Sequence, residues 1–280
     1  MLPTSNGMNF KWFSRNGKIL PVAEAVVPLS NIEYSYGFGV YETIRVQNGK
    51  PRFLEDHLER LVESAAIINL EHIFTPKGID VAVRELVAKN AADICNLKIL
   101  LIGAKSPKGA ELYIQCLKPL FPDKKLYIEG AHVITYEYER PFPHAKTLNM
   151  LQSYLAYRKA KAADAYDALL INQKGCITEG TRTNFFTIRN RIIYSPPESE
   201  ILSGVTRKYV LQVALQNGFT VAERDIKLTD ISVYDGAFVT STSSKIIPIR
   251  SVDTHAFNKE WHQLKILVSA FNNFLQMNTG

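Results

Sequence analysis

Lys146 and Glu179 are the residues of this 280-residue chain whose types and settings point most directly to chemistry. A lysine amine can attack a carbonyl and form a Schiff base, provided it gives up its proton against an ordinary pKa of about 10.4. A carboxylate can accept a charge-assisted hydrogen bond from a basic ring nitrogen, keep it protonated, and so make the ring an electron sink. By type alone Lys146 is a solvated surface charge and Glu179 a turn acceptor. Their settings argue for more. Lys146 follows the stiff, apolar stretch Pro141-Phe142-Pro143-His144-Ala145 and precedes a helical pattern, while Glu179 lies in the polar turn Thr178-Glu179-Gly180-Thr181-Arg182-Thr183-Asn184.

Other residues suit an anion. Arg60, between Glu59 and Glu63 on a helical pattern, is by spacing a surface ion-pair partner, yet its planar fork of donors also matches two phosphate oxygens. Gly204-Val205-Thr206 opens a helical stretch whose free backbone N–H groups and positive dipole end favour negative charge; a plain helix start is the alternative. Thr242 and Ser243 fall in the hydroxyl-rich run Thr240–Ser244, otherwise turn material. Tyr36 and Tyr41 flank Gly37-Phe38-Gly39 at the start of a strand, where an aromatic residue is ordinarily core. His57 and His144 show no partner in the sequence and read as structural.

In order along the chain, SYGFGVYETIRVQNGKPRFLEDHLERL, KTLNMLQSYLAYRKAKAADAYDALLINQKGCITEGTRTNFF, ILSGVTR and TSTSSK resemble the motifs of the class IV, or fold type IV, pyridoxal-phosphate enzymes: branched-chain aminotransferases, D-amino acid aminotransferases and aminodeoxychorismate lyases. The resemblance implies a mixed α/β fold with a small α/β N-terminal domain and a larger, β-barrel-like C-terminal domain with helices. It implies Lys146 as catalytic base and cofactor anchor, Glu179 on the pyridine nitrogen, Arg60, Val205, Thr206 and Thr242 on the phosphate, and Tyr41 facing the cofactor. Tyr36, Lys108 and Ser243 are implied on the substrate side. The activity implied is ping-pong transfer of an amino group between an amino acid and a 2-oxo acid, in a homodimer whose small domain closes the partner's active site. A lyase on the same scaffold and a D-specific aminotransferase are the alternatives, and a non-catalytic ligand-binding relative is the alternative of another class. Two departures stand out: Gly37-Phe38-Gly39 where relatives often have Gly-Asp-Gly, and Thr181-Arg182-Thr183 in place of smaller residues.

Substrate choice is read from Ser106-Pro107-Lys108-Gly109-Ala110. In D-amino acid aminotransferases the matching turn carries an arginine and a histidine that clamp the substrate carboxylate; here those positions are Lys108 and Ala110. A lysine lacks the bidentate fork and an alanine donates nothing, so an L-amino donor of branched-chain type is expected.

The elements that must position these groups are legible in outline. Val40–Gln47 is rich in β-branched and aromatic residues and runs into Asn48-Gly49, a hairpin signal. Helices are expected over 55–70, 78–92, 149–163 and 259–275, and from Gly204 to a cap at Gly218. Hairpins are expected at KILLIG/ELYIQCL and ALLIN/CITEG, and strands over 125–138. Pro119 and Pro122 suggest a boundary between domains 1–120 and 121–280. The net charge of +6 is dispersed rather than striped, which argues against nucleic acid. Three cysteines without ligand spacing suggest reduced thiols and no metal site, and with no signal segment or membrane-length apolar run the expected location is the cytoplasm.

Overall fold

The computed structural model describes residues 10–119, 121–257 and 261–278. They form two compact units, the first drawn from the chain before residue 120 together with Ala145–Asn149, the second from Phe121–His144 and Met150–Asn278.

The first unit contains β1 (Trp12–Arg15), β2 (Lys18–Pro21), α1 (Ile32–Ser35), β3 (Gly39–Gln47), β4 (Lys50–Pro51), α2 (Leu54–Ile67), α3 (Pro76–Lys89), β5 (Cys95–Ile102) and β6 (Glu111–Leu117). Its described strands make one antiparallel sheet in the order β2-β1-β6-β5-β3-β4. The expected hairpin after β3 is present. Asn48 and Gly49 adopt φ of 52° and 69°, the left-handed pair that matches the twist of two-residue hairpins. Val40, Ile44 and Val46 of β3 alternate inward and pack with Leu58 and Leu61 of α2 and Val83 of α3. α3 is started by the Thr75 hydroxyl, which accepts from the Gly78 N–H, and by Pro76 in its first turn.

The second unit contains α4 (Lys124–Glu129), β7 (Ala131–Glu137), α5 (Leu151–Ala162), β8 (Asp167–Ile171), β9 (Ile177–Gly180), β10 (Asn184–Arg189), β11 (Ile192–Ser195), α6 (Val205–Gln216), β12 (Thr220–Glu223), β13 (Gly236–Ser241), β14 (Lys245–Val252), β15 (His255–Ala256) and α7 (His262–Met277). The path β10-β13-β14-β7-β8-β9 returns to β10 through the pair Asn184 and Glu179, so the sheet closes into a barrel. β8 is buried on both faces, with Ala168 and Leu170 covered by Ala156 and Ala160 of α5. The strand expected over 125–138 is only partly a strand. Asp123 caps α4 by accepting from the Lys125 N–H at 2.9 Å, and Gly130, at φ 77°, turns the chain into β7. α6 ends as expected, with Gly218 left-handed after the Asn217 cap. α7 buries Leu264, Leu267, Phe271 and Leu275; of the expected helix 259–275, residues 259 and 260 lie outside the described residues and Trp261 precedes the helix, which begins at His262.

Candidate active site

Lys146 is held by its backbone along β3. Its N–H donates to the Ser64 hydroxyl of α2 at 3.1 Å, and its carbonyl accepts from the Tyr41 N–H at 2.9 Å. Thr147 pairs opposite Val40, and the Leu148 N–H donates to the Gly39 carbonyl at 2.8 Å, so the lysine rides on a strand-like extension of the first sheet. Gly39 permits that approach, because a Cβ there would overlap the Leu148 side chain and the Leu101 carbonyl. The Lys146 ammonium lies 4.5 Å from the centre of the Tyr41 ring, a cation–π distance, so these two expected site residues meet.

Arg60 is not a surface charge. Its side chain is buried, and Nε and Nη2 donate to the two oxygens of Glu42 at 2.6 and 2.8 Å. Glu42 is fully buried at an inward position of β3, and His57 Nδ1 lies 2.8 Å from its Oε2. Burial raises the Glu42 carboxyl, but Arg60 and His57 together outweigh it and hold the group well below the usual carboxylate range. Tyr36 and Lys108 are exposed, on the C-terminal side of α1 and in the turn between β5 and β6.

In the second unit Glu179 lies at the point where the barrel closes and is 5% exposed. Its Oε1 accepts from Arg140 Nε at 2.6 Å and its Oε2 from the Leu202 N–H at 3.3 Å. The Leu202 carbonyl accepts from Asn184 Nδ2 at 2.8 Å, so both backbone groups of Leu202 are tied to the Glu179–Asn184 turn. Two residues further on, Gly204 starts α6 with no side chain capping its first N–H groups; Val205 is buried and Thr206 half-buried. A Cβ on Gly204 would overlap Asn184 Oδ1. Thr242 and Ser243 occupy the β13–β14 turn, bounded by a Ser241–Ser244 hydroxyl bond of 2.7 Å.

The departure at Thr181-Arg182-Thr183 has a local cause. The Thr181 and Thr183 hydroxyls donate to the two oxygens of the fully buried Asp167 at 2.5 and 2.9 Å, and the Ala168 N–H adds a bond of 2.9 Å. Burial pushes the Asp167 carboxyl up, against these bonds and the charge of Arg182. Arg182 turns outward and lies 4.2 Å over the Tyr157 ring.

Sequence reasoning does not find Glu42, Ser64, Arg140 or Asp167. Glu42 alone leaves a signal, a lone carboxylate on the apolar side of an alternating strand, which needs a buried cation.

Known proteins resemble this chain along most of its length. The family model for class IV aminotransferases matches residues 39–252. A D-alanine aminotransferase of Bacillus licheniformis is 33% identical over 247 residues, covering 85% of this chain and 87% of that protein. A branched-chain amino acid aminotransferase from T.th., solved with pyridoxamine 5'-phosphate, superposes with a TM-score of 0.86 at 26% identity over 94% of each chain. The branched-chain aminotransferase of Thermoproteus uzoniensis, solved with norvaline, gives 0.83 at 28% identity over 92% of this chain and 93% of that one. The chain belongs to the class IV aminotransferase family, and it is a pyridoxal-phosphate-dependent aminotransferase of fold type IV. The groups present fit that cofactor: an amine for its aldehyde, a buried carboxylate for its ring nitrogen, and an uncapped helix start for its phosphate.

Proposed function

We propose that the enzyme transfers amino groups from an L-amino acid of branched-chain type to a 2-oxo acid, with Lys146 as its base. When bound, pyridoxal phosphate supplies the electron sink that stabilises charge left on the substrate α-carbon. Lys146 Nζ would anchor the cofactor and serve as the base that moves the proton of the substrate α-carbon; the Tyr41 ring, 4.5 Å from that amine, keeps it in place. Glu179 would hold the ring nitrogen, while Arg60 and the N–H groups of Val205 and Thr206, with the Thr242 hydroxyl, would hold the phosphate. In domain terms, residues 1–120 act as the small domain and 121–280 as the cofactor-binding domain, except that Ala145–Asn149, which carries Lys146, belongs to the first unit.

The observation that carries the donor assignment is the turn after β5. Lys108 stands exposed at its tip and Ala110 is buried, so neither residue supplies a paired clamp for a D-amino acid carboxylate. The D-alanine aminotransferase relative makes D-alanine the donor to test against. A half-reaction screen of L- and D-amino acids, followed as loss of cofactor absorbance, is expected to favour L-branched-chain donors. Lys108→Ala is expected to change the Michaelis constant by less than roughly tenfold, about 1.4 kcal/mol. Robust D-alanine turnover that collapses in Lys108→Ala would assign the D-specific branch, and pyruvate release from aminodeoxychorismate without an acceptor would assign the lyase.

The same reading makes the enzyme a cytoplasmic homodimer. The exposed apolar side chains Val26, Leu29, Ile32 and Tyr34 support the second copy, and three buried free thiols support a reducing compartment. Among the described residues no helix is long and apolar enough to cross a membrane.

A further inference from the structure

We propose that Arg140 is a positioning residue that fixes the Glu179 carboxylate and, through the same guanidinium, the chain segment leading to Lys146. The inference rests on the cofactor assignment above. Arg140 follows β7 and its side chain is largely buried against Glu179, at 17% and 7% exposure respectively. Nε donates to Glu179 Oε1 at 2.6 Å, and Nη2 donates to the carbonyl of Pro143, three residues before Lys146 in the sequence. The side chain therefore closes Arg140–Pro143 into a small loop, stiffened by the fixed φ of Pro141 and Pro143, and ties that loop to the carboxylate.

This arrangement needs the fork. Glu179 already accepts one bond on each oxygen, from Arg140 and from the Leu202 N–H, which sets the plane of the carboxylate. A carboxylate has about four lone-pair sites, so two bonds orient it and still leave acceptor capacity for a third donor. Only a planar guanidinium reaches a carboxylate and a carbonyl with two differently directed N–H groups at once, whereas a lysine ammonium is a point charge on a flexible stem. The alternative is a purely structural ion pair, for which any cation or well-packed replacement would serve.

The test keeps the charge and removes the fork. Arg140→Lys should weaken cofactor affinity about tenfold in a fluorescence titration of the apo-enzyme with pyridoxal phosphate. In a Glu179→Gln background the same substitution should cost less than threefold, because no carboxylate remains to be oriented. Arg140→Gln serves as the second variant if the lysine form does not fold, and should show the same dependence on Glu179. Unchanged affinity in Arg140→Lys, or equal losses in both backgrounds, overturns the inference. Failure of the underlying assignment looks different: the wild type would take up no cofactor, or Lys146→Ala would leave the absorbance of the bound cofactor unaltered.

Discussion

Replacing Lys146 by alanine should end turnover while leaving the chain folded. Its hydrogen bonds with Ser64 and Tyr41 run through its backbone atoms, which alanine retains, and what is lost is the amine with its contact to the Tyr41 ring. Circular dichroism matching the wild type beside a transamination assay at background is the expected pair of results; wild-type rates would remove Lys146 from the mechanism. Arg60 differs because its partner is buried. Arg60→Ala should cost about 3 kcal/mol of stability by leaving the buried Glu42 with His57 alone, besides weakening cofactor affinity by roughly one to two orders of magnitude. The depressed Glu42 pKa adds a sign. Its stabilising contribution is present above the unfolded glutamate value of about 4.3 and is lost as pH falls further. Thermal midpoints should therefore drop between about pH 5 and pH 3, with a shallower slope in Glu42→Gln. Equal slopes would show that Glu42 titrates as an ordinary carboxylate. Lys146 and Glu179 can be singled out in the sequence because each lies in a short linear motif. Which residues partner Glu42 and Arg140 cannot be read there, since the partners lie 18 and 39 residues away and only folding brings them together; the sequence shows at most that Glu42, on the apolar side of its strand, needs one.

Helix α6 is most sensitive at Gly204, the residue that caps its start. Gly204→Ala should force Asn184 away from the helix start, because the added methyl would occupy the position of Asn184 Oδ1. Asn184 also holds the Leu202 carbonyl, so the displacement should spread to the Glu179 turn. A fall of about tenfold in affinity for inorganic phosphate or cofactor, about 1.4 kcal/mol, is expected by calorimetry; unchanged affinity would show that the helix start has room to spare. Elements of this kind are legible where local chemistry sets them, as in the Asn48-Gly49 hairpin and the helices α2, α3 and α6. α4 reads as strand in the sequence because its six residues are too few to show a helical period, and its signal is the single cap Asp123. The closed barrel is implied by the family resemblance and not by local pattern: β7 pairs with β14 more than a hundred residues later, and no short stretch of sequence records that partner.

At the scale of the whole molecule, light scattering should give twice the 31.6 kDa mass of one chain. A second copy would cover the apolar side chains of the segment before β3, including Leu29, which is fully exposed in the single chain. A fully active monomer would refute that assembly. The barrel carries a further consequence. Its circuit is completed at the short β9–β10 turn, where Glu179 pairs with Asn184 and the Gly180 N–H donates to the Thr183 carbonyl at 2.8 Å, and a junction held by so few bonds should loosen before the longer ladders do. Ligand that engages Glu179 would then act as a rivet, so amide hydrogens around Gly180 and Leu202 should exchange more slowly in the loaded enzyme than in the apo form, while those of β13 and β14 stay unchanged.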